Sequence, residues 1–211
     1  MRIYWLRSAE GSRSARQEIN EVTLTSKSLD GIRKAVAELA QRIEAPAYLL
    51  PTYGRSMDCA RPHIEVDQRG LHFVVVERGQ ERERRTTNDP SELAYWIYET
   101  VTFSMAVKFE LHHRNEGEDF RRILFSKQEE LLAQLDSSWR SRLQAYLSQV
   151  LKRAPFDDQE SIRGQYSKQL RDDGADADKA WSLACKKYPL LDEEQNQVPE
   201  DTARKLADPQ R

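Results

Sequence analysis

Residues 89–114 read DPSELAYWIYETVTFSMAVKFELHHR, and the fold turns on how this stretch is interpreted. Leu93, Ile97, Val101, Met105 and Phe109 recur every fourth position, and Ala94, Tyr95, Trp96, Tyr98, Phe103, Ala106 and Val107 fill the flanks. The spacing predicts one long helix, apolar over most of its circumference and therefore buried. Asp89 suits the N-cap, Pro90 the first helical position, where its missing N–H would be unpaired anyway, and Glu92 completes a capping box. A membrane span is the rival reading. The apolar part, Leu93 to Phe109, falls short of the about 20 residues needed and contains Glu99 and Lys108.

Upstream of this helix, HIEVD (His63 to Asp67), a turn at Gln68-Arg69-Gly70 and LHFVVVE (Leu71 to Glu77) form a β-hairpin signature. After Arg78-Gly79, QERERRTT can return as a third antiparallel strand. Strict alternation puts Arg82, Arg84 and Thr86 on one face and Glu81, Glu83, Arg85 and Thr87 on the other. Neither face is apolar, so this strand is expected at an edge or with one face in water, its charges guarding against aggregation. Before the hairpin, APAYLLPTYGRSMDCARP has prolines at 46, 51 and 62 and reads as a long irregular loop, pinned by Leu49 and Leu50. Ahead of it a helix from Asp30 carries Ile32, Val36, Leu39 and Ile43 on one stripe. A short strand is expected near Ile3 to Leu6, and Glu18 to Ser26 reads as a second strand or an irregular lead-in.

Downstream, Asn115-Glu116-Gly117 breaks the chain, and DFRRILFSKQEELLAQL gives a helix burying Phe120, Ile123, Leu124, Leu131, Leu132 and Leu135. Asp136 to Ser138 reads as a stop and a new N-cap. The next helix, to Arg153, is expected to bury Trp139, Leu143, Tyr146, Leu147, Val150 and Leu151, packing antiparallel to its neighbour and with the central helix. Asp157 and Glu160 can cap a helix with Ile162, Tyr166 and Leu170, stopped at Gly174, and a last helix carries Ala177, Trp181, Ala184 and Tyr188. The polar text from Leu191 reads as a largely disordered tail.

The fold class expected is α+β: a small antiparallel sheet of three or more strands, His63 to Thr87, on a mostly helical body around the long buried helix. The alternative is an all-helical bundle with the hairpin as an excursion. One domain spans 1–190, with its core at about 28–158 and a C-terminal helical extension, and 191–211 form the tail. Among 211 residues, 33 Lys and Arg nearly cancel 35 Asp and Glu, and a net charge of −2 argues against broad binding of nucleic acid or anionic lipid. No apolar segment of signal-peptide type follows Met1, so the cytoplasm is the expected compartment. Cys59 and Cys185 lack any metal-ligand or disulfide spacing and read as free thiols.

For chemistry, Glu110, His112, His113, Glu116 and Asp119 are the place to look for a small metal or acid–base site, His113 sharing a helix face with Glu110. Adjacent histidines diverge on a helix, however, and a helix C-terminus favours histidine for dipole reasons alone. His63 and His72 read as cross-strand neighbours that Glu65 and Glu77 can orient, structural in role. Tyr53, Arg55 and Arg61 raise RNA binding as another reading, without a recognisable RNA-binding signature. Arg121-Arg122 and Glu129-Glu130 read as a solvated helix face. There is no phosphate-binding glycine loop and no nucleophile motif, so no cofactor is expected and no catalytic residue is assigned.

The text from Ala45 to Asp158 resembles the immunity protein 63 family of bacterial polymorphic toxin systems, of the contact-dependent inhibition type. The resemblance is carried by PHIEVD (Pro62–Asp67), VVVERG (Val74–Gly79), RRTT (Arg84–Thr87), YWI (Tyr95–Ile97), VTFSMA (Val101–Ala106), DFRR (Asp119–Arg122) and Pro155-Phe156. It implies a non-catalytic antitoxin that binds a cognate toxin domain in the cytoplasm. A pI of 6.1 is compatible with a basic nuclease toxin without requiring one. Under that reading the exposed candidates for toxin contact are Tyr53, Arg55 and Asp58 in the loop, Glu77, Glu81, Glu83 and Arg85 on the charged strand, and Glu116, Asp119 and Arg122 at the later turn.

Overall fold

The computed structural model describes residues 28–191. The strand expected near Ile3, the segment near Glu18 and the tail beyond Leu191 lie outside these residues. The chain divides into two compact units, Met1–Ser104 and Met105–Arg211, with the boundary inside the long helix.

In the first unit, helix α1 (Leu29–Arg42) precedes strands β1 (Thr52–Tyr53), β2 (His63–Asp67), β3 (Gly70–Glu77) and β4 (Gln80–Thr87), and helix α2 (Pro90–His113) follows. The architecture is α+β, as the periodicities predict. Ser28 caps α1 by accepting from the Gly31 N–H at 3.2 Å, and Ile32, Val36 and Leu39 are buried along one stripe. The strands form one sheet in the order β1-β2-β3-β4, with β4 at an edge as its charge suggests.

Two details correct the sequence reading. First, the proline-rich segment is not wholly irregular, because β1 pairs in parallel with β2, Thr52 opposite His63, making the sheet mixed. The pairing draws its donors from Thr52, to Pro62 O at 3.0 Å, and from Gly54, to Ile64 O at 2.8 Å. Prolines at 51 and 62 leave both donors intact. Second, the register slips between Val75 and Val76, with Glu83 opposite Val75 and Glu81 opposite Val76. Arg82 is the extra residue of a bulge, so Glu81 shares a face with Arg84 instead of opposing it. At the other end of β3, Gly70 has φ +135°, and a Cβ there would lie 2.5 Å from the Thr87 carbonyl oxygen, so the close approach of β4 needs glycine.

Ile64, Leu71 and Phe73 share one face of the sheet and are buried, as is every residue from Leu93 to Tyr98. Each of the buried Leu, Ile and Phe side chains among these contributes about 1.5–3 kcal/mol of transfer free energy. The Tyr98 hydroxyl donates to the Val36 carbonyl, tying α2 to α1. Asp89 caps α2 by accepting from Ser91 N–H at 2.9 Å. All-round burial of α2 does not persist along its length: Phe103 is 47 % exposed, and Leu111, in the second unit, is also exposed. No helix among the described residues is long and apolar enough to cross a membrane.

The second unit holds the end of α2, then α3 (Arg121–Leu135), α4 (Ser137–Arg153), α5 (Glu160–Asp172) and α6 (Ala177–Lys187). Asp136 alone joins α3 to α4 and caps the latter through Ser138 N–H at 2.7 Å, so the two helices turn back on each other. Leu124, Leu131, Leu132 and Leu135 meet Trp139, Leu143 and Leu147 in one seam. Lys127 of α3 lies over the Phe109 ring of α2 at 4.9 Å. Phe120 and Tyr146, expected inside, are exposed, and so is Trp181. At about 100° per residue Tyr146 lies about 60° of helix from the middle of the seam of Trp139, Leu143 and Leu147, at its margin. In α6 the seam is Ala180 and Ala184, both fully buried, which lets α5 and α6 pack closely and turns the large indole outward.

Candidate interaction surface

At one end of the sheet, sequence-distant residues meet. Asp58 takes a left-handed backbone conformation, φ +55°, and its carboxylate accepts from Gly79 N–H at 2.7 Å. Cys59 bridges to Glu77, and Ala60 N–H donates to Val76 O at 3.0 Å. These bonds sew the loop before β2 onto the β3–β4 turn, bringing Asp58, Glu77 and Arg82 together; the Arg82 guanidinium lies 3.8 Å from Glu77. Tyr53 is elsewhere, on β1 at the opposite sheet edge, with the Arg33 guanidinium 5.0 Å from its ring centre. Burial pushes its phenol up to about 12, against the pull of Arg33 and Arg61. Arg55 beside it is exposed.

Strand β4 holds two arginines that lean in opposite directions. Arg84 donates to Glu81 at 2.9 and 2.7 Å and reaches across β3 to Glu65 on β2 at 2.8 Å. In the register Arg84 lies opposite Val74, which is fully buried. His63 Nε2 donates to Glu65 at 3.0 Å, while its Nδ1 is buried without a partner; the proton therefore sits on Nε2. His72 is held between Asp67 and Thr86, each at 2.8 Å. The histidines share a face one register step apart, but Asp67, not Glu77, orients His72. Arg84 hydrogen bonds hold Glu65 and Glu81 below the usual carboxylate range and raise Arg84 itself, and the His72 hydrogen bond lowers Asp67. On the other face, Arg85 pairs with Glu83 and Glu99 and lies over the rings of Phe73 and Trp96 at 5.4 and 5.8 Å. Glu81 and Glu83 thus belong to different faces.

In the second unit, Glu116 and Arg122 are exposed, whereas Asp119 is buried. The Asp119 carboxylate is fully buried; it takes bonds from the Arg121 side chain at 2.5–3.1 Å, from Arg121 N–H at 2.9 Å and from Asp157 N–H at 2.8 Å. Burial alone would raise its pKa; Arg121 and the two amides outweigh burial and lower it. In return Asp158 accepts from Asp119 N–H at 2.9 Å and binds Arg122 at 2.8 and 2.9 Å. In this reciprocal clasp Arg121 is largely covered, while Arg122 and Asp158 stay on the solvated face expected from the sequence. The clasp continues through Arg163, which is 1 % exposed and donates to Asp157, Tyr188 O and Pro189 O, each at 2.8 Å. The sequence signal for Arg163 was faint: an arginine one step off the Ile162–Tyr166 stripe.

The residues weighed for other chemistry are engaged locally. His112 and His113 donate from Nδ1 to Lys108 O and Phe109 O at 2.7 and 2.8 Å, and Glu110 is buried against Arg114. No group of three or more potential ligands among the described residues is placed to hold a metal ion. Arg61 spends its guanidinium on the carbonyls of Leu50 and Ala47, at 2.7 and 3.2 Å.

Residues 67–149 match the family model described as immunity protein 63. The match takes in VVVERG, RRTT, YWI, VTFSMA and DFRR, includes Asp67 alone of PHIEVD, and ends before Pro155-Phe156. No curated protein and no solved structure matches the chain.

Proposed function

We propose that this chain, which carries the immunity protein 63 family over residues 67–149, is an antitoxin that binds a cognate toxin domain in the cytoplasm and blocks it without catalysis. The family match carries the reading. It is supported by the kind of surface around the sheet: Glu65, Glu81 and Arg84, and on the other face Glu83, Glu99 and Arg85, are fixed by mutual hydrogen bonds before any partner arrives. Pre-ordered charge lowers the entropy lost on docking and steers encounter. An interface of about 800 Å² per partner is ample for tight association.

The contact region proposed is the sheet end formed by Asp58, Glu77 and Arg82 together with β4. The test is co-expression with the toxin domain encoded beside this chain. Protection of growth and a complex surviving gel filtration are the expected result; equal killing with and without this chain sinks the reading. A charge swap, Glu77→Arg with Arg82→Glu, keeps that ion pair while inverting the charge pattern, and is expected to weaken protection without changing the circular dichroism. Unchanged protection would move the interface elsewhere.

A further inference from the structure

We draw no further inference here: the strongest candidate, the cleft between α3 and α4 walled by Phe125, Leu147, Leu151 and Phe156, has its rim residues Arg122 and Glu129 already bonded to Asp158 and Gln144, and nothing in the structure shows what covers it.

Discussion

Replacing Asp119 by Ala is the sharpest test of the clasp that holds the second unit. The substitution removes a carboxylate with no exposed surface, strands the Asp157 amide, and leaves the Arg121 guanidinium, 18 % exposed, without its counter-charge. Breaking one side of a buried ion pair costs about 3–5 kcal/mol. The lower end applies because Arg121 keeps the carbonyls of Ala154 and Pro155 at 2.9 and 2.7 Å. Urea unfolding followed by the fluorescence of Trp139 and Trp181 should therefore show a midpoint lower by on the order of 1.5 M. The lowered pKa of Asp119 fixes the pH dependence. A depressed carboxylate contributes fully above its unfolded value of about 3.9, and the contribution is lost as pH falls through the folded value. The gap between the native chain and the variant should thus hold steady from about pH 5 to 8 and close only below about pH 4. A loss under about 1 kcal/mol at neutral pH, or a gap that closes near pH 6, would refute the account of the clasp.

Gly70→Ala should destabilise the first unit by about 1–3 kcal/mol, through a left-handed φ and a Cβ driven into the Thr87 carbonyl; thermal melts read this, and an unchanged midpoint contradicts the packing of β4. Ala184→Leu, at a fully buried position, should lower stability by about 1–3 kcal/mol by forcing α5 and α6 apart, whereas the exposed Leu183→Ala should fall within about 0.5 kcal/mol. Comparing the alkaline ultraviolet titrations of the native chain and Tyr53→Phe should isolate one phenol ionising at about 12, and ionisation near 10 would show that Tyr53 is not buried as described.

The helices, the β2–β3 hairpin and the edge position of β4 were legible in the sequence because each rests on short-range causes: apolar spacing, capping residues, turn glycines and a strand with no apolar face. So was the similarity to the immunity protein 63 family model, since blocks such as VVVERG and RRTT fall within the matched stretch 67–149. What the sequence alone could not determine depended on partners far along the chain. Arg121 read as part of a solvated helix face and Asp119 as an exposed contact until Asp157, Asp158 and Arg163 are brought beside them from well downstream. Asp58 read as an exposed loop acid until Gly79 meets it, and Arg84 as an outward guard until Glu65 draws it across β3. Periodicity tells which way a side chain points only to within a helical face, which is why Tyr146, at the margin of its seam, is exposed where burial was expected. The bulge at Arg82 has the same origin, since one unpaired residue reverses the alternation and only the opposing strand fixes where that residue falls. Charge composition was set by the sequence; which charges are buried, paired or free for a partner was set by tertiary packing, because a charge's role depends on its neighbours in space and its distance from water.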